Sequence, residues 1–343
     1  MTFKICQENN QRNTKIYKKG KNMSNKYKRN INKKSRKKGN KFNNFIHAYM
    51  FYLEQYLLSK KETLSEITFQ SDEANTDRPL KEYLRFLIET DFNQLPQKAE
   101  GGKLNFENGH ISPLSELRDV RILKVLLPED ITEEIKEKIK DTKSAVYTNP
   151  DMCFVLTDGV STYYETVELK STKHDVIPGS SVQQIMPDEW VIFIKHTSKG
   201  IDVATGKYVH SINSKMPFPD RSPRPQVSFK QLKTWNLHYR NCENDMIVYV
   251  YDKNTPEKVK QILNWQAVLL DRWLNIIQAS SRAPSESWFN DSIRKFTLEV
   301  LHRYDALSKD KQEDFKAQLQ NGSGASISPT TQEISSPEKK CEM

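Results

Sequence analysis

Two runs rich in β-branched and aromatic residues, Met152–Leu156 and Tyr163–Lys170, are separated by a short polar link containing Asp158-Gly159. Asp-Gly between two apolar runs is a hairpin signal. The chain therefore has to contain a β-sheet, and that sheet has to accept an antiparallel pair here. Alternate side chains of a strand share a face. Glu168 and Lys170 then point the same way, Val167 and Leu169 enter the opposite layer, and the hairpin carries Asp151, at the start of its strand, close to Glu168.

Further strands are expected at Trp190–Lys195 and Met246–Tyr251, from the same enrichment. Other segments have the spacing of helices. Phe45, Ile46, Tyr49, Met50, Leu53, Tyr56 and Leu57 recur at intervals of three and four. Pro79–Asp91 places Leu80, Tyr83, Leu84, Phe86 and Leu87 among polar residues, and Asp130 followed by Glu133 and Glu134 opens a charged helix to about Lys140. Pro178-Gly179-Ser180-Ser181 reads as a turn into a short helix over Val182–Ile185, with serine as its cap. Segment 199–230 reads as a hairpin and a long ordered loop, and helices return near 256–278 and 285–303. The order predicts an α/β protein, a mixed central sheet flanked by helices.

Composition sets the limits of this body. Residues 1–41 hold fifteen Lys or Arg and a single acid, Glu8, a net charge of +14 within a chain whose formal total is +9. The other residues are therefore close to neutral. The arm has almost no apolar periodicity and is expected to be disordered, and so is the polar stretch 319–343. Between them the reading divides the chain into an N-terminal helical region, 42–144, and a core with C-terminal helices, 145–318. A basic arm attracts polyanions with strong salt dependence. Met23, followed by Ser24 and Asn25, is a second candidate start.

No apolar run approaches the ~20 residues that cross a bilayer, and no hydrophobic region follows the N-terminal charge as in a secretory signal. Four scattered cysteines without a CxxC pair, and no His cluster at zinc spacing, give neither a disulfide framework nor a zinc site. A cytoplasmic protein is expected.

The candidate chemistry lies in the hairpin. Two carboxylates, Asp151 and Glu168, and the Lys170 ammonium converge at a sheet edge. Carboxylate oxygens suit Mg²⁺, a hard cation that takes one or two carboxylates, waters and a phosphate. Pro150-Asp151 followed by Glu168-Leu169-Lys170 resembles the PD-(D/E)XK signature of restriction-endonuclease-like nucleases. The resemblance spans roughly residues 145–250, because Ile177–Gln184 leads into Trp190–Lys195 as the helix and third core strand do in that fold. It implies that Asp151 and Glu168 bind Mg²⁺, that Lys170 works on the attacking water, and that Gln183 or Gln184 supplies an auxiliary glutamine. The expected function is a type II site-specific endonuclease acting on double-stranded DNA in a restriction-modification system. It would be a homodimer, without nucleotide cofactor or membrane.

A sequence-reading element is expected at Arg221-Ser222-Pro223-Arg224-Pro225-Gln226, where prolines stiffen a donor-rich segment. Arg pairs with guanine, and Gln with adenine, through two hydrogen bonds. Lys207, His210, Asn213 and Lys215 just before it are candidates for phosphate or base contacts. A loop packed on the final helices is the competing structural reading. Two other functions fit the same residues: a structure-specific repair or recombination nuclease of the same fold, and a DNA-binding protein without catalysis.

Overall fold

The hairpin lies at the centre of a five-stranded mixed sheet. The computed structural model describes residues 40–67, 78–106, 111–142, 150–182, 185–213, 224–279 and 288–322. Strands β3 (Arg121–Leu126), β4 (Met152–Thr157), β5 (Thr162–Thr172), β7 (Trp190–Thr197) and β8 (Gly200–Lys207) lie side by side in the order β3-β4-β5-β7-β8. β3, β4 and β5 form an antiparallel meander, β7 runs parallel to β5, and β8 returns antiparallel on β7. The β4–β5 turn forms where Asp158-Gly159 predicts it. Gly159 has φ of 85°, and Asp158 Oδ1 accepts the amides of Val160 and Ser161 at 3.1 and 2.7 Å.

The alternation sorts the two faces. Met152, Phe154, Leu156, Val167, Leu169, Trp190, Ile192 and Ile194 belong to the main core. Against them pack helices α1 (Asn40–Ser59), α2 (Lys61–Glu66) and α3 (Arg78–Thr90), through Phe45, Tyr49, Met50, Leu53, Leu64, Leu80, Leu84 and Leu87. The other face is covered in two patches. Cys153 and Val155 of β4 cluster with Ile139 of α4 (Glu133–Thr142). Val191 and Phe193 of β7 cluster with Tyr208 and Val209 of α5 (Tyr208–Ser211), and with Phe229 and Leu232 of α6 (Phe229–Tyr239). Strand β5 runs between the two patches, and Glu168 and Lys170 lie on this face, both largely buried.

Several elements depart from the sequence reading. Region 42–144 is not purely helical: β1 (Lys103–Phe106), β2 (Ile111–Pro113) and β3 fall within it. β1 and β2 are too short and polar to carry a periodic signal, and they are stabilised by β10 (Arg240–Glu243) and β11 (Met246–Tyr249) in a second sheet of order β10-β11-β1-β2. Within 199–230 lie β8, α5 and the short β9 (Gln226–Ser228), which pairs with β6 (Val176–Pro178). The late helices are α7 (Thr255–Leu263), α8 (Trp265–Gln278), α9 (Trp288–Asp305) and α10 (Lys309–Gly322). The last runs past position 319, where a tail is expected; 323–343, like the basic arm up to residue 39, lies outside the described residues. The chain divides into two compact units, Met1–Trp265 and Gln266–Met343, a boundary inside the expected core. Among the described residues no helix is long and apolar enough to cross a membrane.

A buried ion pair ties α1 to the edge of the central sheet. Arg240 Nη2 lies 2.5 Å from Glu54 Oε2, Arg240 Nη1 donates to the Thr205 carbonyl at 2.9 Å, and the Thr205 amide donates to Glu54 Oε2 at 2.6 Å. Removing one member of such a pair leaves a buried charge alone. Arg240→Ala is expected to lower unfolding free energy in urea by about 3 kcal/mol, and a loss under about 1 kcal/mol would show that Glu54 does not depend on it.

Candidate active site

The register of the hairpin sets the site. The ladder between β4 and β5 ends with Met152 opposite Val167, so Asp151, one residue beyond, faces Glu168. Directly opposed residues of an antiparallel pair have Cβ atoms ~4.5–5.5 Å apart. The Asp151 carboxylate is fastened in place: Oδ2 accepts the Leu169 amide at 2.9 Å, and Oδ1 accepts from Lys81 Nζ at 2.6 Å. On β5, Glu168 is 9% exposed, and its Oε1 accepts from Lys170 Nζ and from Ser180 Oγ, both at 2.5 Å. Ser180 Oγ also lies 3.3 Å from Lys170 Nζ. The three residues expected from the sequence are therefore brought together, with two further polar groups, Lys81 and Ser180.

Ser180 is placed by a close backbone approach. Its amide donates to the Tyr208 hydroxyl oxygen at 2.9 Å, and the Gly179 amide donates to the Pro225 carbonyl at 2.8 Å. A Cβ on Gly179 would stand 2.6 Å from the Tyr208 hydroxyl and 2.7 Å from Pro225 O, so only glycine lets this loop seat against α5. The sequence reading gives serine here a helix-capping role. In the structure the Ser180 hydroxyl serves Glu168, and Val182 and Ile185 are buried outside any helix. Gln183 and Gln184 lie outside the described residues.

Burial raises the Glu168 pKa, with the nearby Asp151 charge adding to the rise, while Lys170 and the Ser180 hydroxyl oppose it. For Lys170, burial acts against the charge, but Glu168, Tyr208 and Asp151 outweigh it and hold the pKa above that of an ordinary lysine. Lys170 is charged, its ammonium donating to both Glu168 and Ser180.

The expected reading element is less uniform. Arg224 is exposed, Gln226 opens β9 half-buried, and its carbonyl accepts the Asn213 amide at 2.8 Å. Lys207 Nζ stands 4.0 Å over the Trp190 ring. His210 does not face outward as its assignment to DNA requires. It is buried, with its ring stacked 3.4 Å from that of Trp235, because α5 turns it inward beside Val209 and Ile212. Lys215 and Arg221 lie outside the described residues.

No known family model, curated protein or solved structure matches this chain.

Lys81, Ser180 and Tyr208 carry no signal beside the motif residues. Lys81 precedes Asp151 by seventy positions, and only the packing of α3 unites them.

Burial, with Lys207, Lys258 and Arg240 nearby, lowers the His210 pKa from 6.5 to about 3, against the pull of Asp252. The unfolded chain then binds a proton that the folded one refuses. This contribution to stability is complete above 6.5 and is lost as pH falls toward 3. Between pH ~7 and ~4.5, wild type is expected to lose about 2 kcal/mol more than His210→Phe, measured as urea unfolding free energy. Equal losses would place His210 at the surface.

Proposed function

We propose that this protein is a Mg²⁺-dependent endonuclease of the type II restriction class, hydrolysing phosphodiester bonds at specific sites in double-stranded DNA. The observation that carries this reading is the meeting of Asp151 with the Glu168–Lys170 pair at one end of the β4–β5 ladder. The mixed sheet, with β7 parallel to β5 beyond an antiparallel meander, is the arrangement the resemblance implies.

The donor set is suited to Mg²⁺. A carboxylate has about four lone-pair directions. Asp151 uses one for Lys81 and one for the Leu169 amide, and Glu168 uses one each for Lys170 and Ser180. Both keep capacity for a cation. Among the described residues no group of three or more His, Cys, Asp or Glu forms. Two carboxylates, completed by water and phosphate, is a common way to hold this ion. When bound, Mg²⁺ would make water more acidic and offset charge on the phosphate.

Asp151 and Glu168 would hold the cation. Lys170 is charged and cannot take a proton, so it donates a hydrogen bond that orients the attacking water and stabilises the charge growing on the phosphate. Ser180 keeps Glu168 and Lys170 in register. The water oxygen bonds to phosphorus, one P–O ester bond breaks, and the water's proton leaves through solvent while the departing alkoxide is protonated. A phosphomonoester and an alcohol result.

Arg224 and Gln226, with Arg221, Lys207, Asn213 and Lys215, are the proposed DNA contacts, and the basic arm adds sequence-independent attraction. His210 is left out of this set. A homodimer would present two such sites to the two strands of a palindrome. The biological setting that follows is restriction of unmodified DNA in the cytoplasm, beside a protecting methyltransferase.

Incubation with unmethylated plasmid DNA and Mg²⁺ is expected to give discrete fragments. EDTA should abolish them, and Lys170→Ala should lower the rate at least about a hundredfold. Absence of cleavage on several different DNAs, alongside salt-sensitive binding, would reject catalysis and leave a DNA-binding protein.

A further inference from the structure

The nuclease chemistry above has no use for Lys81, yet the fold delivers it to the centre of the site. Its ammonium sits 2.6 Å from Asp151 Oδ1, with the two side chains only 18% and 24% exposed. It is not a wandering surface lysine. Helix α3 is clipped down along its polar side. Arg78 pairs with Glu129 at 2.8 Å, Arg85 with Asp130 at 2.9 Å, and Glu89 accepts the Val125 amide at 2.7 Å. Leu80, Leu84, Leu87 and Ile88 are buried in the main core. Residues 78, 81, 85 and 89 lie on one helical stripe, so holding its neighbours fixes the root of Lys81.

The charges of the site balance. Asp151 and Glu168 carry two negative charges, and Lys81 and Lys170 carry two positive ones. A divalent cation alone would leave this enclosed cluster two charges in excess, which a partly buried site tolerates poorly. A phosphodiester, together with the negative charge developing on the attacking water, restores the balance.

We propose that Lys81 is an internal counter-ion for the metal site: it holds the Asp151 carboxylate until a divalent cation displaces it, and then pairs with the DNA phosphate. This rests on the nuclease reading. The ammonium and the cation compete for one carboxylate, so metal binds weakly to the free protein. A phosphate that draws Lys81 away strengthens metal binding, and by linkage metal strengthens DNA binding to the same degree. Lys81 thereby ties cleavage competence to the presence of substrate. It acts as a positioning residue in the free protein and touches substrate only in the complex.

The test is titration of Mn²⁺ into the full chain without DNA, by calorimetry, for wild type, Lys81→Met, Lys81→Arg and Asp151→Asn. Lys81→Met is expected to bind Mn²⁺ about tenfold more tightly than wild type, the scale of one charge-assisted hydrogen bond. Lys81→Arg keeps the charge and should stay near the wild-type affinity, while Asp151→Asn should lose binding. If Asp151→Asn loses Mn²⁺ but Lys81→Met binds no more tightly than wild type, the counter-ion role is overturned and the metal site stands. Equal tightening in Lys81→Met and Lys81→Arg would assign the effect to packing and also overturn it. If neither wild type nor Lys81→Met binds Mn²⁺, even with a DNA duplex added, the metal site itself is rejected and the counter-ion role falls with it.

Discussion

Every other feature of the site depends on the register of the β4–β5 ladder, Met152 opposite Val167. A slip of one residue would turn each side chain to the other face. Val167 and Leu169 would leave the main core, and Glu168 and Lys170 would enter it unpaired. Burial of Met152, Phe154, Leu156, Val167 and Leu169 on one face therefore specifies where two charged residues stand on the other. It also specifies that Asp151, just past the end of the ladder, faces Glu168. Hydrophobic packing supplies the precision, and the charged residues occupy positions that it leaves to them.

Holding those charges away from water is costly unless each has a partner. The structure meets that requirement with groups from distant segments. Lys81 arrives on α3, Ser180 on the loop after β6, and Tyr208 supports Ser180 from α5. Gly179 makes the last approach possible, since a side chain there would collide with both Tyr208 and Pro225. The outcome is a cluster of matched charges at the end of the β4–β5 ladder, held by three separate elements, in which Asp151 remains about a quarter exposed.

A comparable arrangement anchors the far edge of the same sheet. Glu54 of α1, Thr205 of β8 and Arg240 of β10 share short hydrogen bonds in a buried setting. Because α1 also packs on the main core, this network fastens the helical layer to the sheet and fixes β10, from which the second sheet continues through β11 and β1. Within the first unit the site joins Glu168 and Lys170 of β5 to Asp151 just before β4, Lys81 of α3 and Ser180 of a loop.

Much of the local structure was legible in the residues themselves. The alternation around Glu168, the Asp158-Gly159 turn and the spacing of Phe45, Tyr49, Met50 and Leu53 are short-range patterns, and the β4–β5 hairpin, its two faces and α1 follow from them. The pairing of Asp151 with Glu168 was legible for the same reason, since a hairpin joins neighbours in sequence. The strands β1 and β2, the burial of His210 and the roles of Lys81, Ser180 and Tyr208 were not. Each depends on contacts between segments far apart in the chain, whose free energy comes from desolvation and packing in the assembled fold and leaves no periodic mark on the sequence. The sequence by itself determined which side chains could share a strand face. Tertiary structure alone decided which distant groups would neutralise them, because partners for buried charges are chosen by proximity in space.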